Sequence, residues 1–156
     1  MAKGTPATVA LKKAGVAFTL HEYGYDPGEV GVGRQAAQAL GIEPARLLKT
    51  LMAHAGEATL CMLVRCDREV NLRRLAALLN AKDAALLAPA DAERMTGYRV
   101  GGISPFGQKK RVRMVVDQAA LDFATVFVNG GRRGLEVEVN PADLVRVLDA
   151  AMMDLT

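Results

Sequence analysis

The chain has 156 residues (16.6 kDa), 51% of them hydrophobic, which is enough for one core and too few for two full domains. Twenty Lys and Arg against seventeen Asp and Glu leave a formal charge of +3 and a pI near 9.0, a balance too mild to define a partner by itself. Apolar runs such as "ATLCMLV" fall short of the roughly 20 residues of a membrane span, and "MAKGTPATVALKK" lacks a signal-peptide core, so a cytoplasmic protein with no membrane partner is expected.

"TPATVALKKAG" predicts a short amphipathic helix with Thr5 as cap, Pro6 at the first helical position, apolar Val9 and Leu11, and Gly15 as the stop. "VAFTLHEYGYD" predicts a strand in which Phe18, Leu20 and Glu22 alternate with Thr19, His21 and Tyr23. "PGEVGVG" reads as a flexible turn and "RQAAQALG" as a helix closed by Gly41. "LLKTLMAHAG" and "ATLCMLVRC", separated by "GE", read as two paired strands through the core. "NLRRLAALLNA" predicts a helix capped by Asn71 with Leu72, Leu75, Leu78 and Leu79 at helical spacing, and "APADAERMTG" a capped helix ending at Gly97. Strands "RMVVD", "TVFVN" and "LEVEV" follow, then a helix "PADLVRVLDAAM" with Pro141 in its first turn. Several β-β neighbours with helices interspersed argue for a mixed α/β (α+β) arrangement in one domain over residues 1–156, and against a Rossmann sheet.

Ligand spacing gives no support to a metal site. His21 and His54 lie far apart, and Cys61 and Cys66 sit five apart in one apolar segment, matching neither a zinc half-site nor a CxxC redox pair. They read as buried thiols. A protein nucleophile is equally hard to find: Ser104 is the only serine, it lies in "GISPFG" without a local histidine, and its hydroxyl reads as a turn cap. Alternation would put Glu136 and Glu138 on one strand face, but nothing else supports a glycosidase-like pair.

Lys49 is more informative. It interrupts the apolar run "LLKTLM", and an ammonium buried without a partner is costly, so its side chain should reach a cleft or an anion unless it snorkels from an edge. The stretch "YRVGGISPFGQKKRVR" is a shaped loop, with Gly101 and Gly102 available for close backbone approach, leading into Lys109, Lys110, Arg111 and Arg113. "GGRRG" adds Arg132 and Arg133. Either cation cluster alone is ordinarily a solvated face; two beside glycine loops point to a phosphate-bearing partner.

"LKKAGVAFTLHEY", "ALGIEPARLLKTL", "ADAERMTGYRVGGISPFGQKKRV" and "TVFVNGGRRGLEVEVNPADL" together resemble the YbaK/EbsC branch of the prolyl-tRNA synthetase-associated editing family, in the family's order and over nearly the whole chain. The resemblance implies a twisted mixed sheet forming a partly open pseudo-barrel flanked by short helices. It further implies a free-standing deacylase that removes cysteine wrongly attached to proline tRNA, with no metal and no cofactor. Lys49 falls on the family's key functional residue, with Gly101 and Gly102 beside the reacting ester. Tyr23, Thr50, Ser104 and Asn129 would contact the substrate, and Lys109, Lys110, Arg111, Arg132 and Arg133 would meet the tRNA. In the mechanism so implied the substrate's own thiol attacks the ester, which would account for the missing nucleophile. The implied partners are the acceptor end of a mischarged proline tRNA and prolyl-tRNA synthetase, with no DNA. Tyr25 and Asn129 depart from residues frequent in the family, histidine and serine, which bears on which small amino acid is cleared.

Two other classes fit some of the same residues. A non-catalytic module could hold a tRNA end or nucleotide with the same loop and cations, but would have little use for Lys49 in an apolar strand. A thiol redox protein would need Cys61 or Cys66 exposed with a depressed pKa.

Overall fold

The computed structural model describes residues 4–26 and 32–156, so most of the turn expected over 27–33 lies outside the described residues. The chain opens with α1 (Pro6–Lys13), where Thr5 accepts from the Thr8 amide and Thr8 Oγ1 accepts from the Thr5 amide, a reciprocal cap. Its buried side is Ala7, Thr8 and Leu11, while Val9 is 50% exposed. Next come β1 (Phe18–Glu22), α2 (Val32–Leu40), a 3-10 turn (Pro44–Arg46), β2 (Leu48–Ala55) and β3 (Ala58–Arg65). Then α3 (Leu72–Leu78), capped by Asn71, leads through β4 (Ala84–Leu86) to α4 (Pro89–Thr96), which Gly97 ends in a left-handed turn. The remainder is β5 (Arg113–Asp117), β6 (Val126–Asn129), β7 (Leu135–Val139), α5 (Pro141–Leu148) and β8 (Ala151–Met153).

The expected strand pair β2–β3 forms around the Gly56–Glu57 turn, from Leu48↔Arg65 to Ala55↔Ala58. Three details differ from the sequence reading. The closing helix stops at Leu148, because Asp149 turns left-handed, and "AMM" becomes β8, pairing parallel with β5. The short strand β4 joins the edge of β2. The Ala88 cap position of α4 makes no side-chain cap bond.

The strands form two sheets. One is antiparallel in the order β1-β7-β6; the other is mixed, β4-β2-β3-β5-β8, with β3, β5 and β8 parallel. They touch at one parallel bridge, Leu47 to Phe127, so the barrel stays partly open. The main apolar cluster, including Leu11, Leu48, Leu63, Phe106, Val126, Val137 and Leu144, fills the space between the sheets and α1 and α5. A second, around Leu60, Met62, Val64 and Leu75, seats α3.

Candidate active site

The site lies where the two sheets part. β4 pairs only with Ala53–Ala55, and the Leu87 amide donates to the Met52 carbonyl at 2.9 Å. From there to the Leu47–Phe127 bridge, no strand among the described residues covers that edge of β2. Residues two apart in an antiparallel strand present their backbone groups to the same edge, so the Thr50 amide and carbonyl face the gap. The gap is a cavity of about 300 Å³, lined by β2 from Leu48 to Met52, by Val100 and Gly101, and by Asn129 and Glu136. Leu86, Leu87, Ala92 and Ile103 make its other walls apolar.

Polar groups converge there. Lys49 lines the cavity, with its Nζ 3.5 Å from Glu69 Oε1, an almost fully exposed carboxylate. Thr50 Oγ1 is buried and, among the described residues, has no hydrogen-bond partner. Glu136 is 3% exposed, and burial pushes its carboxyl up to about 8 although Asn129 Nδ2 donates to it at 3.4 Å. The same Asn129 amide donates to the Gly101 and Arg132 carbonyls at 3.3 and 3.1 Å, tying the glycine loop to the β6–β7 turn. Buried polar groups lacking partners are rare enough that a cavity edged by them calls for a ligand.

The other predicted residues fall around this centre. Tyr23 packs behind the wall with Ala36, Leu47 and Phe127; its hydroxyl is buried and unpartnered among the described residues, and burial, then the Glu136 charge, raise its pKa. The Gly102 amide donates to the Arg99 carbonyl at 2.8 Å, and the residue abuts the Arg132 backbone, leaving Gly101 as the loop glycine that lines the cavity. Ser104 is fully buried and accepts from the Phe106 amide at 3.3 Å, as a turn cap does; it does not line the cavity. Lys109, Lys110 and Arg111 are exposed, their segment fixed by the Lys109 and Lys110 amides on the last carbonyls of α4. Arg132 pairs with Glu22 at 3.0 Å and Arg133 donates to the Val100 carbonyl, so both of these guanidinium groups already have partners in the protein.

Glu136 is a site residue that sequence reasoning did not single out. Glu138, its neighbour on the same face, belongs to a separate network, accepting from Thr125 and meeting His21 at 2.9 Å and Arg46 at 3.4 Å, which holds its carboxyl below the usual range. Burial raises the Cys61 thiol to about 12 and, with the Asp67 charge second, the Cys66 thiol to about 11, which runs against the thiol redox alternative. Among the described residues, no three His, Cys, Asp or Glu side chains are grouped to hold a metal ion.

Comparison with known proteins gives a consistent result. Residues 28–147 match the profile of the aminoacyl-tRNA editing domain. EbsC of Enterococcus faecalis, provisionally named a Cys-tRNA(Pro)/Cys-tRNA(Cys) deacylase, is 27% identical over 97% of this chain and 93% of its own. The proline–tRNA ligase of Levilactobacillus brevis is 33% identical over 94 residues, 60% of this chain but only 16% of the ligase. A crystal structure described provisionally as a trans-editing enzyme for prolyl tRNA synthetase superposes with a TM-score of 0.86 at 22% identity, over 97% of this chain and 94% of that one.

Proposed function

The chain belongs to the aminoacyl-tRNA editing domain family, and we propose that it acts in trans to hydrolyse cysteine wrongly esterified to proline tRNA, with the thiol of the substrate as nucleophile. The observation that supports this most is a cavity supplied with a cation and polar groups but, among the described residues, no activated nucleophile: Ser104 and Cys61 are fully buried, and the Thr50 hydroxyl in the lining has no hydrogen-bonded base. In the proposed step the substrate sulfur bonds to its own ester carbonyl, the ester C–O bond breaks, and the thiol proton goes to the departing ribose oxygen. The resulting four-membered thiolactone then opens with water to give free cysteine.

Lys49 and the Gly101 amide would stabilise the oxyanion of the tetrahedral intermediate, while Thr50 and Glu136 hold the aminoacyl group. The need for such a filter is general: an apolar pocket separates close isosteres by only about 1–3 kcal/mol, so a synthetase for proline will admit other small amino acids. The test is deacylation of proline tRNA charged separately with cysteine, alanine and serine. Cysteine should be cleared much faster than serine, whose hydroxyl is far less acidic. Equal rates for the two would remove thiol assistance, a preference for alanine would reassign the substrate, and no clearance of any would leave a binding module.

A further inference from the structure

Arg133 was expected to meet tRNA; it is exposed, yet its guanidinium is held against the glycine loop. Nε and Nη2 both donate to the Val100 carbonyl, at 3.1 and 2.8 Å, and the guanidinium carbon lies 5.1 Å from the centre of the Tyr25 ring. The Val100 carbonyl and the Gly101 N–H belong to one trans peptide, so they point in opposite directions. Whatever fixes the carbonyl therefore aims the amide.

The groups around that amide are engaged. The Val100 amide donates to Glu93 Oε2 at 2.9 Å, the Gly101 carbonyl accepts from Asn129, and the Gly102 amide donates to Arg99. Among the described residues the Gly101 N–H has no partner, and Gly101 lines the cavity. Its φ of +89° and the 2.5 Å between a hypothetical Cβ there and Arg133 Nε show why a glycine stands at this point: a side chain would keep the guanidinium off the loop.

We infer that Arg133, seated on Tyr25, is a positioning residue that grips the Val100–Gly101 peptide and presents the Gly101 N–H to the oxyanion of the bound ester. A cation on the carbonyl also polarises the peptide and strengthens its N–H as a donor. The inference rests on the proposed deacylase reading, and it gives Tyr25 a role: the ring holds the guanidinium in place.

The experiment uses three variants of the full chain. Arg133→Lys keeps the charge but loses the two-pronged grip, Tyr25→Leu removes the ring, and Tyr25→Phe keeps it. Small displacements of a reacting group cost up to about 100-fold in rate, so kcat should fall about 10- to 100-fold in the first two. KM, the salt dependence of KM and the unfolding midpoint should stay at wild-type values, and Tyr25→Phe should recover kcat. Separately from turnover, two mimics of the charged 3′ end are titrated, adenosine carrying a tetrahedral anionic phosphonate or a planar neutral amide in place of the ester. The wild type should prefer the phosphonate, and Arg133→Lys and Tyr25→Leu should lose that preference. Wild-type kcat in Arg133→Lys overturns the inference, as does a loss confined to KM with a flatter salt slope, which marks a phosphate contact. So does a wild type with no preference for the phosphonate. A wild type that clears no aminoacyl-tRNA but shows an Arg133-dependent phosphonate preference removes the deacylase reading and supports this one.

Discussion

Glu136 puts a carboxyl where charge is expensive, and the consequence is a dependence of stability on pH opposite to that of a salt-bridged acid. Its folded value of about 8 lies above the ordinary 4.5, so between those values the folded chain binds more protons than the unfolded one. Stability from this group is therefore full below the unfolded value and falls as pH rises toward 8. Denaturant midpoints at pH 5 and pH 9 should show the loss in the wild type, and Glu136→Gln should reduce it, making the variant the more stable of the two at pH 9. Lys49 leads to a kinetic expectation: Lys49→Ala should cost roughly 10²- to 10³-fold in deacylation, the range for removing one preorganised donor. Ser104→Ala should cost much less in rate, since its hydroxyl caps an internal turn. Lys49 was legible because a cation in "LLKTL" breaks an apolar strand. Glu136 was not, because what separates it from Glu138 is which end of β7 borders the gap between sheets, and no local pattern carries that.

Among the elements, α1 does more than cover the core. Thr5, besides capping the helix, donates its hydroxyl to the Gly130 carbonyl at 2.5 Å, and Gly107 packs against the Pro6 carbonyl, so the first turn fastens the two glycine loops that shape the site. Thr5→Ala should lower stability by about 0.5–2 kcal/mol, the usual worth of a cap, and Thr5→Ser should restore most of it; thermal unfolding of the three proteins decides the point. The hairpin β2–β3, the caps at Thr5 and Asn71, Pro141 in the first turn of α5 and the stop at Gly97 were readable because each rests on local chemistry. β4 and β8 were not, since three residues are too few to show a period of two and their pairing is settled by partners distant in sequence. Nor did the alternation in β1 say which face is covered: at the edge of its sheet, Leu20 is 36% exposed.

Over the whole molecule, the class followed from the order of elements and the open barrel from the family likeness, while the division into two sheets, joined at a bridge between Leu47 and Phe127, was not legible. The cations also sort out in three dimensions: all four are exposed, but Arg132 and Arg133 are engaged by Glu22 and the Val100 carbonyl, while Lys109 and Lys110 lie beyond α4. On the proposed function, a double alanine change at Lys109 and Lys110 should flatten the slope of log K against log salt for tRNA binding by about one unit or more, at about 0.7 per phosphate neutralised; an unchanged slope would make these lysines a solvated face. The bare edge of β2 has a further consequence. An unpaired strand edge is a template for aggregation, and proteins usually blunt such edges with charge, proline or a cover. Here the bare stretch runs only from Leu48 to Leu51, stopped by β4 at one end and by the bridge at the other. It is too short and too recessed to recruit a strand from a second molecule, so the chain can keep its main-chain groups open to a small ligand without becoming a seed for its own precipitation.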